Sequence, residues 1–178
     1  MSEFSLYIHY PYCISKCPYC DFNSYKFEKI AVSEEFLNAY LIELENYYKL
    51  IPNKCIKTIF FGGGTPSLMS IKFFSKIMEK INNLWGISDN NEISMEANPT
   101  TVEMNKFAEF HKIGINRLSI GIQSLNDDVL RFFKRTHNKE NGIKAIKIAQ
   151  NIFNDKYSID LIYARPQQKL KDWVNELK

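Results

Sequence analysis

Apolar and polar positions alternate, or run briefly apolar, at Ser5–His9, Thr58–Phe61, Glu92–Glu96, Arg117–Ile120 and Tyr157–Ile162, each bounded by Gly, Pro or Asn. Such short segments predict five β-strands. Between them the spacing changes to that of amphipathic helices, over Ser33–Leu50, Ser70–Trp85, Thr101–Ile113, Asp127–Lys134 with Lys139–Phe153, and finally Lys169–Leu177. Ser33 ahead of Phe36, Ala39, Tyr40 and Leu44 reads as a helix start, and Thr100–Thr101 ahead of Glu103 reads as another. Pro99 keeps Asn98 extended before that second start. A strand–helix alternation of this kind predicts a parallel sheet covered by helices and joined by right-handed crossovers. Two architectures satisfy it, an open doubly wound sheet or part of a β/α barrel, since five strands are too few to close an eight-stranded barrel.

The placement of unusual polar residues adds to this picture. A cysteine-rich loop follows the first predicted strand, Gly62–Gly63–Gly64–Thr65 follows the second, Glu96 ends the third, Gln123 lies just past the fourth and Asp160 lies in the fifth. In parallel β/α folds ligand sites assemble at the C-terminal strand ends, so these positions predict one extended site on one rim. No internal repeat or linker interrupts the chain, which reads as one domain.

Composition narrows the chemistry. The 178 residues are 45% hydrophobic, enough for a real core, and 23 Lys and Arg against 20 Asp and Glu leave a formal charge of +3 without any basic block. Nucleic-acid binding has no support in that balance. No run is long or apolar enough to be a transmembrane segment, and Met1–Tyr10 lacks the pattern of a signal peptide, so a cytoplasmic protein is the expectation. Three of the four cysteines, Cys13, Cys17 and Cys20, form a CxxxCxxC cluster. That spacing suits a metal centre better than a disulfide framework.

Thiolates favour iron–sulfur clusters and zinc. The loop offers three ligands where a closed site has four, and a [4Fe–4S] cluster held this way leaves one iron open to the amino and carboxylate groups of S-adenosylmethionine. One-electron reduction of that sulfonium yields a 5′-deoxyadenosyl radical. A zinc site completed by Cys55 or a histidine is the alternative. Gly62–Gly63–Gly64 lets the backbone approach a ligand, with its N–H groups directed at the methionyl part, or it is simply a tight turn. Neither a P-loop nor GxGxxG is present. Glu96, Gln123, Arg135 and Asp160 are suited to an amine, ribose hydroxyls and a carboxylate, although each alone reads equally as a hydrogen-bonded strand end or a surface ion pair. His9, His111 and His137 have no metal-ligand spacing and read as structural, as does Cys55. The aromatic residues at helical spacing read as core.

The ordered motifs CxxxCxxC, FFGGGTPS, MEANPTT, NRLSIGIQS, RTH and IDLIYARP resemble the radical S-adenosylmethionine proteins related to oxygen-independent coproporphyrinogen oxidase, over nearly the whole chain. Within that group the chain resembles the haem-chaperone branch, because Phe22 occupies the place, two positions after the third cluster ligand, where the coproporphyrinogen dehydrogenases carry a further cysteine. The resemblance implies cluster ligands at Cys13, Cys17 and Cys20. It implies cofactor contacts at Tyr7, Tyr19, Gly63, Gly64, Thr65, Glu96, Gln123, Arg135 and Asp160. It implies an incomplete (β/α)6 partial barrel of about five parallel strands with outer helices, haem as cargo and a haem-acceptor protein as partner. Oxidative decarboxylation of coproporphyrinogen III is the competing function, and a non-functional remnant is the third.

Two departures accompany the resemblance. Tyr163-Ala-Arg-Pro-Gln-Gln168 stands where relatives read YGLPGQ, so two glycines are replaced and a charge is gained. Family members also continue through a sixth strand and a C-terminal region with an HNxxYW-like segment. Residues 1–178 are accordingly expected to be the core domain alone, with an open sheet edge prone to aggregation or to pairing with another chain.

Overall fold

The computed structural model describes residues 2–88 and 90–178. The strands in chain order are β1 (Glu3–Tyr10), the short β2 (Tyr12–Cys13) and β3 (Tyr25–Lys26), then β4 (Cys55–Gly63), β5 (Glu92–Ala97), β6 (Arg117–Gln123) and β7 (Tyr157–Leu161). The helices are α1 (Glu34–Leu50), α2 (Ile71–Trp85), α3 (Thr101–Met104), α4 (Phe107–Ile113), α5 (Asp127–Phe132), α6 (Lys139–Phe153) and α7 (Leu170–Glu176). The five predicted strands are all present; β1, β4, β5 and β6 extend beyond their predicted bounds, and β7 ends one residue earlier than predicted. β4 runs through Gly62 and Gly63, which therefore belong to the sheet as well as to the turn after it.

All pairings in the main sheet are parallel, in the order β1-β4-β5-β6-β7. Chain order and spatial order coincide. Crossovers of one hand between successively adjacent strands place every connecting helix on the same side, whereas a doubly wound sheet must reverse direction and use both sides. Burial agrees. On β6, Leu118, Ile120 and Ile122 are fully buried, while Arg117, Ser119, Gly121 and Gln123 on the other face are only partly covered. The buried set packs with Ile59 and Phe61 of β4, Met95 of β5, Phe74 and Ile77 of α2, Phe110 of α4 and Ala145 and Ala149 of α6. Each such large side chain contributes about 1.5–3 kcal/mol by leaving water. The architecture is thus a five-stranded partial barrel with outer helices, and the opposite, polar sheet face lines its hollow.

Ser33, Ser70 and Thr100 cap α1, α2 and α3, their side chains accepting from the backbone N–H groups of Phe36, Phe73 and Glu103. The predicted helix Thr101–Ile113 is divided in two at Asn105–Lys106. Lys106 is drawn inward, where its Nζ donates to the carbonyls of Ser67 and Met69, the latter at 2.9 Å. The β2–β3 pair has no counterpart in the predicted elements. With Tyr25 N–H on the Pro11 carbonyl and Phe27 N–H on the Cys13 carbonyl, both 2.7 Å, it ties the two ends of the cysteine loop together.

Candidate cluster and cofactor site

Where the strands end, the polar face opens into a cleft of about 340 Å³. Its walls are supplied by Cys13, Cys17, Tyr19 and Cys20 of the loop after β1, by Gly64 and Thr65 after β4, by Glu96 and Asn98 at the end of β5, by Gly121 and Gln123 of β6, by Arg135 after α5 and by Asp160 of β7. All but two of the sequence-proposed site residues therefore line one cleft. The exceptions are Gly63, which sits behind the wall, and Tyr7, which stands next to it. The Tyr7 ring stacks on Phe60, and its hydroxyl meets His9 Nδ1 at 3.0 Å. Because His9 Nε2 lies 2.9 Å from the Asn23 carbonyl, Nε2 carries a proton.

The backbone donors of the glycine segment have partners within the protein. Gly63 N–H donates to Glu96 Oε2 at 3.0 Å, Gly64 N–H to the Tyr10 carbonyl at 2.7 Å and Thr65 N–H to the Tyr12 carbonyl at 2.9 Å. Those donors are committed inside the protein. What the glycines provide is close approach, since a Cβ on Gly64 would come within 2.8 Å of the backbone of Pro11 and Tyr12. This contact seats the cysteine loop against the second strand end.

A continuous set of hydrogen bonds runs around the cleft. Thr65 Oγ1 donates to Cys13 Sγ at 3.3 Å and receives Asn98 Nδ2 at 3.0 Å. Asn98 Oδ1 accepts from Arg135 Nη2 at 2.5 Å, and Nη2 also donates to the Gly121 carbonyl at 2.8 Å. Arg135 Nη1 reaches Tyr19 Oη at 3.2 Å and Cys17 Sγ at 3.5 Å. Arg135 Nε is buried without a partner among the described residues. Beneath this set, Glu103 (1% exposed) accepts from Ser67, from Thr100 Oγ1 at 3.0 Å and from the Asn98 N–H at 2.8 Å. Asn98, Ser119 and Glu103 were absent from the sequence-derived site. Glu103 was visible only as a helix-start residue, because periodicity does not say which way a capping carboxylate turns.

The electrostatics are divided. Burial pushes the Glu96 carboxyl above its usual range, the Gly63 N–H draws it back, and the neighbouring Asp160 charge raises it again. Ser119 Oγ holds Asp160, at 3.3 Å from Oδ2. Arg135 and Lys16 line the same cleft as these carboxylates, which therefore carries charges of both signs. Burial pushes Cys13 up while the Thr65 hydroxyl lowers it, and burial takes the Tyr19 phenol up to about 12. Gln123 closes β6 at φ 66°, a left-handed conformation that is uncommon for a side-chain-bearing residue and turns the chain at the cleft.

Among the described residues no three Cys, His, Asp or Glu side chains converge on the small radius of a single metal ion. Cys55, one of the fourth ligands proposed for zinc, is out of reach of the loop. Cys55 begins β4 and pairs with Glu3, at the opposite end of a nine-residue strand, about 26 Å from the loop side at ~3.3 Å per residue. Both ring nitrogens of His9 are engaged, and His111 bonds the Ile115 carbonyl at 2.8 Å on the helix layer. The residues do fit a larger, zwitterion-bearing group. Three half-buried thiols share one loop, a buried guanidinium N–H is unpartnered, and a Cβ on Gly121 would crowd Gln123 and Asn98.

The family model of the Radical SAM superfamily matches residues 7–178. The chain is 43% identical over 174 residues to heme chaperone HemW of Buchnera aphidicola from Schizaphis graminum and 36% identical to heme chaperone HemW of Escherichia coli, covering 98% of this chain and 46% of each relative. It is 36% identical to radical S-adenosyl methionine domain-containing protein 1, mitochondrial, of Bos taurus, covering 39% of that relative. The chain thus spans less than half the length of these curated relatives. Among solved structures it superposes on coproporphyrinogen III oxidase (HemN) from Escherichia coli with a TM-score of 0.89 at 27% identity, over 99% of this chain and 40% of that one. Sequence match, strand order and the cysteine-bearing first rim loop agree, and the chain belongs to the radical SAM superfamily.

Proposed function

We propose that residues 1–178 form one core domain that holds a [4Fe–4S] cluster on Cys13, Cys17 and Cys20 and binds S-adenosylmethionine at the iron these ligands leave open. The observation that carries this reading is the shared cleft, in which the three cysteines face polar groups from the ends of the other main-sheet strands. When bound, that pair supplies one-electron chemistry that no side chain provides. Glu96 and Asp160 offer negative charge to the ammonium end of the cofactor, Arg135 offers its unpartnered N–H to an anionic end, and Gln123 and Tyr19 supply polar contacts around it. Gly63, Gly64 and Thr65 keep the cluster loop seated, and Tyr7 buttresses the wall beside Glu96.

The function we propose for the protein to which this core belongs is that of a HemW-like haem chaperone, with haem as cargo and a haem-acceptor protein as partner. Phe22 supports it. This residue stands at the cleft mouth, 57% exposed, where its side chain can contribute apolar contact but no thiolate. The likeness to the HemW relatives supports it as well. The cytosol is the proposed compartment, since its reducing conditions keep the three thiols available. Among the described residues no helix is long and apolar enough to cross a membrane.

Anaerobic reconstitution with iron and sulfide should give a broad absorbance band at about 400 nm that a Cys17→Ala variant lacks. A colourless protein would overturn the cluster reading. The structural likeness to HemN favours a second reading, radical decarboxylation of coproporphyrinogen III. Reduced, reconstituted protein incubated with S-adenosylmethionine and coproporphyrinogen separates the two. Formation of protoporphyrinogen supports the enzyme, and haem binding without turnover supports the chaperone.

A further inference from the structure

Among the described residues Asn98 touches two hydrogen-bond donors aimed at cysteine sulfur, Thr65 on Cys13 and Arg135 on Cys17. Its orientation is dictated by chemistry. Arginine has no acceptor, so the Asn98 atom 2.5 Å from Arg135 Nη2 must be the carbonyl oxygen, and the amide nitrogen must then face Thr65. A hydroxyl that accepts the Asn98 N–H keeps its own proton for another partner, and the partner within reach is Cys13 Sγ at 3.3 Å. On the other side, the same carbonyl helps fix the guanidinium whose Nη1 lies 3.5 Å from Cys17 Sγ. Asn98 itself is held from below, its backbone N–H bonded to the buried Glu103 carboxylate at 2.8 Å and its extended conformation favoured by the following Pro99.

From this arrangement we infer that Asn98 is a positioning residue that sets the polarity around two cluster-ligand sulfurs, one through Thr65 and one through Arg135. The inference rests on the cluster reading above. A hydrogen bond to a ligand sulfur withdraws electron density and stabilises the more negative, reduced cluster, so it raises the reduction potential. Among the described residues no side-chain hydrogen bond of this kind reaches Cys20, so Asn98 acts on two of the three ligands. Losing Asn98 releases two donors at once while leaving all three cysteines in place.

The test is a redox titration of reconstituted wild-type protein and two variants, with iron per chain and the electron paramagnetic resonance spectrum of the reduced cluster measured on each. Asn98→Asp is nearly isosteric and keeps the acceptor for Arg135, but it cannot donate to Thr65. Asn98→Ala removes both arms. The expected result is a shift to more negative potential in both variants with an altered resonance spectrum, while Asn98→Asp retains wild-type iron content. A merely structural role would move the unfolding midpoint and leave the potential of the loaded fraction where it was. An Asn98→Asp protein with wild-type iron, potential and spectrum overturns the inference while leaving the cluster reading intact. Wild-type protein that takes up no iron overturns both, and it is recognised before any variant is compared.

Discussion

Two turns leave the sheet beside the cleft and solve the same problem with opposite residues. At the end of β4 the chain passes through Gly63, at φ 111°, and on into Gly64, whereas after β7 it passes through Ala164 at φ 58° and Gln167 at φ 63°. At the first turn a side chain would collide with its neighbours. A Cβ on Gly63 would lie 2.6 Å from the His9 ring, and one on Gly64 would meet the backbone of the cysteine loop. At the second turn the constraint is conformational only, and the left-handed region costs an ordinary residue about 1–2 kcal/mol. Contact with backbone makes glycine obligatory, while a torsional cost can be offset elsewhere. The offset lies in Arg165 and Glu176, an ion pair with side chains only 11% and 5% exposed, separated by 2.9 Å. Glu176 also accepts from Ser124 and from the Leu125 N–H at 2.9 Å, which fastens α7 to the end of β6.

The strongest way to break this comparison is to cut the pair. Arg165→Ala or Glu176→Ala should each lower stability by about 3–5 kcal/mol, because the remaining charge is left buried, and the double variant should lose less than the sum. Urea midpoints at constant slope would measure it. Burial pushes the Glu176 carboxyl up, but its hydrogen bonds and Arg165 hold it below the ordinary value. The contribution is therefore complete above the ordinary carboxylate range and fades as pH falls through the lowered pKa.

Next in size, Gly64→Ala should cost about 3 kcal/mol by forcing loop backbone aside, and it should reduce iron retained after reconstitution. Equal iron content in that variant would show that the first turn tolerates a methyl group after all. Acid probes the strand end between the two turns. His137 Nε2 bonds the Ile122 carbonyl at 3.1 Å, its Nδ1 is buried without a partner among the described residues, and burial with the nearby Arg135 lowers its pKa to about 4. Between pH 6.5 and 4 the unfolded chain binds more protons, so stability should fall by about 2 kcal/mol as pH drops, after allowance for solvent screening. His137→Gln should remove that slope.

The smallest effect sharpens the contrast from the other side. Ala164→Gly should raise stability by about 0.5–1 kcal/mol, because relief of left-handed strain exceeds the extra entropy glycine gives the unfolded chain. A loss of stability there would mean that Ala164 is held by packing rather than strained.

Most of the rim was legible because strand ends are punctuated. Cys13, Cys17 and Cys20 follow an alternating run, Gly63–Thr65 follows an apolar one, and Glu96 and Asp160 interrupt or end theirs. Asn98 was hidden in a segment that reads as a turn before a helix, and Lys106 in a helix that the structure divides. Their roles depend on partners 33 to 39 residues away, Thr65 for Asn98 and Ser67 and Met69 for Lys106, which no local period encodes.

The sequence by itself determined the alternation of strands and helices, the three-cysteine loop after the first strand and the polar character of the strand ends, because periodicity and residue chemistry are local properties. The tertiary structure alone decided that the helices share one side of the sheet, that Cys55 lies at the far end from the other cysteines and that Thr65, Asn98 and Arg135 link two of the thiols. Those are matters of strand order and direction, which depend on how distant segments pack, and local pattern is blind to them.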